Sequence, residues 1–431
     1  MSTASTAARG TTRLLRSVPC PYCWERFAPE EILWISVHAE LMGDPLLGPE
    51  TPGRFLPSRF TVDGNAIDAR GQVCHQLACP RCRLVVPRDL VELEPLFLSV
   101  IGAPSSGKSF FLTSATMELR KALPRHFGIS FADSDPAINH ALTQYEEALF
   151  LNPDARRLIP LAQLIEKTQL QGDLYSTVAY GQHTVSYVRP YLFSMRGLEN
   201  PDAARRGGVA DRLLCLYDNA GEHFQPGQDN ANAPVTRHLA VSRAVLFLFD
   251  PTQDPRFREA CGDAGIDLGD GDRARLGRQE LILHEAAARI RKYASQGEAG
   301  DRLLIVVVSK LDAWDGLLDD PPDDDPWGSV NTPNGVVRGL IADRIERQSA
   351  NLRELLSGLC PEIVGAADGF AKEVAFIPAS ALGDATRIDP ASGKPAIRPA
   401  EIAPRWAAVP FLYAFHRKLP GLIPRLKEKG R

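Results

Sequence analysis

Two residue patterns in this 431-residue chain are able to do chemistry. The first is Gly102-Ala-Pro-Ser-Ser-Gly107-Lys108-Ser109, which follows the apolar run Leu96 to Ile101 and precedes a helix-compatible stripe of Phe111, Leu112, Ala115 and Leu119. Glycines at the ends of such a loop let successive backbone N–H groups converge on phosphate oxygens, where a Cβ would obstruct them. A helix that starts at once adds the positive end of its dipole. Lys108 reaches the outer phosphates, the Ser109 hydroxyl ligates Mg²⁺, and Ser105, Ser106 and Phe110 border the same cradle. The second pattern is a pair of Cys-x-x-Cys turns, Cys20-Pro-Tyr-Cys23 and Cys79-Pro-Arg-Cys82. Each turn brings two thiolates to one point, and two turns complete a tetrahedral Zn²⁺ site that is closed to water and therefore structural. Cys74 and His75 lie near enough in sequence to substitute as ligands, although two complete pairs leave no vacancy. A redox pair or reduced structural cysteines are the alternatives.

Three strand-end stretches extend the first pattern. Arg212-Leu-Leu-Cys-Leu-Tyr-Asp218-Asn-Ala-Gly221 ends in Asp-x-x-Gly, where Asp218 can hold Mg²⁺ through water and the Gly221 amide can meet a γ-phosphate. Leu303-Leu-Ile-Val-Val-Val-Ser309-Lys310-Leu-Asp312 ends in Lys-x-Asp. A carboxylate at Asp312 accepts from the N1–H and N2–H₂ of guanine, a donor pair that adenine lacks, while the Lys310 stem lies over the base. The run Val374 to Pro378 leads into Ser380, Ala381 and Leu382, whose backbone can meet the guanine carbonyl.

These residues need elements to hold them. Short β-rich runs at Leu96 to Ile101, Tyr191 to Met195, Arg212 to Tyr217, Ala244 to Phe249, Leu303 to Ser309 and Val374 to Pro378 predict a mainly parallel, six-stranded sheet. Helices are predicted over Lys108 to Leu123, Asn139 to Leu149, Arg278 to Ala294, Val336 to Ser357 and Pro410 to Leu419. The fold class is therefore α/β, with residues 1–17 read as a flexible tail, 18–92 as a zinc-ribbon-like module with an insertion, and 93–431 as the nucleotide domain. The insertion between the cysteine pairs predicts a hairpin or a short helix. The acidic, proline-rich stretch Asp315 to Trp327 reads as a solvated loop.

Composition sets the outer limits. A hydrophobic fraction of 44% suits a folded protein, and 49 basic against 53 acidic residues give a net charge of −4, so nothing indicates nucleic acid as a partner. No apolar run approaches the roughly 20 residues of a membrane helix, and the amino-terminal stretch lacks a secretory pattern. The expected location is cytoplasmic.

Taken in order, Gly-Ala-Pro-Ser-Ser-Gly-Lys-Ser, Asp-Asn-Ala-Gly, Ser-Lys-Leu-Asp and Ser-Ala-Leu resemble the G domain of the translation-factor-related GTPases, nearest in style to Ras- and Rab-like P-loop domains. With the zinc module in front, the layout is also similar to bacterial double-GTPase proteins, a group assigned to conflict or defence systems. The resemblance implies GTP and GDP as ligands, Mg²⁺ as cofactor, and a protein effector or a second GTPase as partner. Three positions depart from it. Ser309 stands where the family has Asn or Thr, and Glu222, followed by His223, stands where it has a water-positioning Gln. The third is the first-switch Thr that completes the Mg²⁺ shell; of Thr168, Thr177 and Thr184, the position of Thr184 before the second strand favours it. A carboxylate cannot donate a hydrogen bond to water, so hydrolysis is expected to be slow, or to need His223 or a partner's arginine. Arg189, Arg196, Arg205 and Arg206 are the candidates in cis. The leading expectation is a GTP-hydrolysing switch. The alternative is a scaffold or assembly module that holds GTP without turnover, and an ATPase of another phosphate-loop branch ranks below both.

Overall fold

Apolar runs that lack polar alternation become inner strands, because helices cover both of their faces. In the computed structural model this produces a seven-stranded sheet. The residues described are 15–165, 175–198, 211–219, 224, 236–262, 278–293, 301–333 and 335–428. The chain divides between Pro95 and Leu96 into two compact units.

The sheet of the second unit has strands β1 (Glu94–Gly102), β2 (Ile129–Asp133), β3 (Tyr191–Gly197), β4 (Arg212–Asp218), β5 (Ala244–Phe249), β6 (Leu303–Val308) and β7 (Glu373–Pro378). Their spatial order is β2-β3-β4-β1-β5-β6-β7. Pairs β1–β5, β5–β6 and β6–β7 are parallel, whereas β2–β3 and β3–β4 are antiparallel. Strand β1 is central, and the chain fills one side of it before crossing to the other. That reversal makes the carboxyl end of β1 a switch point, where an open sheet leaves a crevice for a ligand.

Side-chain alternation divides the core between two faces. Leu98, Val100, Leu246, Ile305 and Ile377 meet helix α1 (Lys108–Ala122) and the carboxyl-terminal helix Val409–Lys418. Ile101, Val245, Phe247, Val306 and Phe376 meet the helices Glu280–Tyr293, Ala342–Leu359 and Pro361–Phe370.

Three features differ from expectation. The seventh strand, β2, is a five-residue edge whose Ile129 and Phe131 face inward while Ala132 is exposed, a run too short to stand out in sequence. Residues Gly335–Leu340 form a strand paired with Trp327–Thr332, so the helix expected from Val336 begins at Ala342. Adjacent Val336 and Val337 favour the extended form. The acidic stretch is tethered: Arg405 pairs with Asp315 at 2.6 Å and Asp323 at 3.5 Å, and the Trp406 indole donates to Asp324 O at 2.9 Å.

In the first unit, the hairpin Val18–Pro19 with Arg26–Phe27 carries the first cysteine turn, and Leu77–Ala78 with Val85–Val86 carries the second. The insertion contains hairpins at Met42–Asp44 with Gly48–Pro52 and at Ala66–Ile67 with Val73–Cys74, together with strand Leu33–Ile35 between Arg54–Phe55 and Leu77–Ala78.

Candidate functional site

The phosphate-type loop sits at the carboxyl end of β1. A Cβ on Gly102 would lie 2.6 Å from Leu248 O, so glycine is required there by the close approach of β5. Gly107 has φ of 89° and Ser105 of 62°, and left-handed residues of this kind tighten the turn of the loop. Lys108 is buried, and its ammonium donates to Gly102 O at 3.0 Å and Ala103 O at 2.9 Å. Phe110 and Leu382 both pack against the buried cluster that contains Leu149 and Ile397.

Asp218 closes β4, next to β1. Burial pushes its carboxyl up to about 6, and the charge of Lys108 acts in the opposite direction, which places the two groups within electrostatic reach. Asp218 Oδ1 and Ser106 Oγ are both buried and have no hydrogen-bond partner among the described residues. Buried polar atoms without partners are rare, and a ligand that supplies a cation and phosphate oxygens would satisfy both.

On the other side of β1, β6 ends at the Ser309-Lys310-Leu311-Asp312 turn. Ser309 N–H and Oγ donate to Phe249 O at 2.8 and 3.1 Å, so the hydroxyl at this departure from the family pattern serves the backbone. Ser380 Oγ donates to Asp312 Oδ1 and accepts from Gly383 N at 2.9 Å. Burial raises the Asp312 carboxyl above its usual range, and the Ser380 contact opposes the shift. Ser114 of α1 donates to Ala381 O at 2.7 Å, which ties the Ser380–Leu382 turn to the helix that starts at Lys108. Thus Lys108, Asp218, Asp312 and Ser380–Leu382 gather around one end of the sheet.

Other candidates fall elsewhere. Thr184 is exposed, in a hairpin strand opposite Ala179, and Thr177 lies across from Ser186 in the same hairpin. Strand β3 begins at the Asp218 end, where Tyr191 pairs with Leu216, and Arg196 sits toward its far end opposite Ser130. Arg189 therefore belongs to the Asp218 end and Arg196 to the opposite one. Gly221, Glu222, His223, Thr168, Arg205 and Arg206 lie outside the described residues.

The four predicted thiols of the first unit are gathered and buried, with their sulfurs all within 4.8 Å of one another. Cys20 and Cys82 sulfurs are 3.8 Å apart, and those of Cys23 and Cys79 are 3.9 Å apart. Four sulfurs at about 2.3 Å from a tetrahedral ion stand about 3.8 Å apart, so the spacing fits zinc. The two turns repeat one geometry. Trp24 N and Arg83 N donate to the carbonyls of Cys20 and Cys79 at 3.0 Å, and both residues have φ of 61°. Tyr22 N and Arg81 N point at the Cys20 and Cys79 sulfurs at 3.4 and 3.3 Å, as donors to thiolates would. Burial pushes the Cys20 thiol up, while hydrogen bonds from Cys20, Cys23 and Cys82 hold Cys79 well below its usual value. The group can hold a metal. Cys74 takes no part, because its thiol faces Asp68 and Gln72 O at 3.9 and 3.7 Å, and His75 is exposed.

Sequence reasoning missed Asp250, Gln279 and Thr252, which surround the Lys310 ammonium or its partner. Among the described residues no helix is long and apolar enough to cross a membrane. No protein-family model matches the chain. A protein of Mycolicibacterium smegmatis, named for a proposed ESX-1 scaffolding and assembly role and called SaeC, is 26% identical over 338 residues, which cover 74% of this chain and 76% of that one.

Proposed function

We propose that this chain is a guanine-nucleotide-binding assembly module of the cytoplasm, with a P-loop G domain and a zinc-held head that docks protein partners. The observation that carries the reading is the gathering of Lys108, Asp218 and the Asp312–Ser380 pair at the switch point of one sheet. In this reading Lys108 and the loop amides hold the phosphates, and Ser109 and Asp218 hold Mg²⁺. Asp312 and the Ser380–Leu382 turn hold the base. The zinc head presents a metal-locked surface, and four thiolate ligands leave its ion no open position for chemistry. The relative named for scaffolding and assembly favours stable nucleotide holding over rapid turnover.

A GTP-hydrolysing switch is the second reading, and the location of Arg189 at the Asp218 end of β3 favours it. An arginine there can reach charge that develops on a transferred phosphoryl group. Glu222 in place of Gln keeps turnover slow in either case.

Single-turnover phosphate release with Mg²⁺ and GTP or ATP, with and without candidate partners, tests the proposal. The expected result is tighter binding of GTP than of ATP, loss of that preference in Asp312→Ala, and no useful phosphate release under any condition. Partner-stimulated release would select the switch. Tighter ATP binding, or no effect of Asp312→Ala, would remove the guanine assignment.

A further inference from the structure

Lys310 is held at both ends. Its backbone is left-handed, with φ of 55°, between Ser309 N bonded to Phe249 O at 2.8 Å and Leu311 N bonded to Ala379 O at 3.2 Å. Its ammonium lies 2.7 Å from Asp250 Oδ2 and 3.3 Å from Thr252 Oγ1. Asp250, immediately after β5, is itself immobilised. Its side chain is fully buried, and Oδ1 accepts from Thr252 N at 3.0 Å and Thr252 Oγ1 at 2.6 Å. Gln253 Nε2 reaches Oδ2 at 3.1 Å, and the Asp250 backbone exchanges two hydrogen bonds with the Gln279 side chain, at 3.1 and 2.8 Å. The Lys310 side chain remains 38% exposed. With the head and the Cα both fixed, the methylene stem between them is fixed as well.

We propose that Asp250 is a positioning residue for purine-base binding: its buried carboxylate pins the Lys310 ammonium and so sets the Lys310 stem as a preformed wall for the base plane. The inference rests on the nucleotide reading above. Asp250 touches no ligand and acts through Lys310. A free lysine stem loses most of its rotamer freedom when a base lies against it, whereas a pinned stem has lost it on folding. Binding to a prearranged wall is tighter by that difference.

The test is equilibrium titration of the full chain with Mg-GTP and, separately, with Mg-tripolyphosphate, which has no base. Asp250→Asn retains the shape and an acceptor for Thr252 but drops the charge. Lys310→Met retains the stem and drops the ammonium. Each is expected to weaken GTP roughly tenfold, the double variant to be no weaker than either single, and tripolyphosphate to stay within about twofold of wild type. Wild-type GTP affinity in Asp250→Asn, equal losses for GTP and tripolyphosphate, or additive losses in the double variant would overturn the inference. Failure of the parent reading looks different: wild type itself would bind GTP no tighter than tripolyphosphate, which removes the base slot and the role of Asp250 with it.

Discussion

Asp218 is a carboxyl group buried beside a buried lysine, and its position in the sequence, at the end of an apolar strand, was enough to single it out. What the sequence could not supply is its electrostatic state. Burial lifts its folded value from 3.8 to about 6, so it favours the folded protein fully below 3.8 and that contribution is lost as pH rises through about 6. A shift of about two units is on the order of 3 kcal/mol. Asp218→Asn is therefore expected to raise the thermal midpoint of the nucleotide-free protein at pH 7.5, with little effect at pH 4, and to abolish the Mg²⁺-dependent part of GTP affinity; calorimetry with and without Mg²⁺ measures both. Gly102 was legible for a related reason, because the loop pattern demands a residue without Cβ. Gly102→Ala would force a carbon to within 2.6 Å of Leu248 O and is expected to destabilise the second unit by about 1–3 kcal/mol in denaturant titration. Asp250 was not legible: an Asp after an apolar strand looks like a solvated strand end, and only its proximity to Lys310 across 60 residues of chain reveals otherwise.

At the scale of elements, the six expected strands are present because continuous Val, Leu, Ile and Phe runs have no other place than a doubly covered sheet. Val336 to Leu340 misled because its residues also fit a helical register with the real helix that follows, and the hairpin partner at Trp327–Thr332 decides the matter only in three dimensions. The acidic stretch misled differently. Like charges normally stay hydrated, yet Arg405, which also exchanges backbone hydrogen bonds with Ser380, holds Asp315 and Asp323 beside the Ser380 turn. Arg405→Ala is expected to release residues 315–325, seen as faster amide exchange there, and to weaken GTP more than tripolyphosphate through the Ser380 turn. Unchanged exchange would mean that the Trp406 and Gln348 contacts to Asp324 O and Asp320 O suffice.

The molecule divides into two compact units, with the four clustered thiols in the first and the phosphate-type loop in the second. Among the described residues, the strands that lie wholly in the first unit are two to five residues long, a small core of the kind that a metal held by the four thiols would brace. Metal chelation is expected to unfold that unit, read from the near-ultraviolet signals of Trp24 and Trp34, and to leave GTP binding by the second unit in place. Whether one purine nucleotide joins the turns at Lys108, Asp218, Asp312 and Ser380 is decided by a specificity switch at Asp312. Xanthine carries an oxygen where guanine carries an amino group, so an amide in place of the carboxylate matches it. Competition binding should show wild type preferring GTP over xanthosine triphosphate, and Asp312→Asn should reverse the preference, by roughly tenfold or more each way. Equal affinity for both nucleotides in wild type, or a preference that Asp312→Asn leaves untouched, would rule out a guanine held by Asp312.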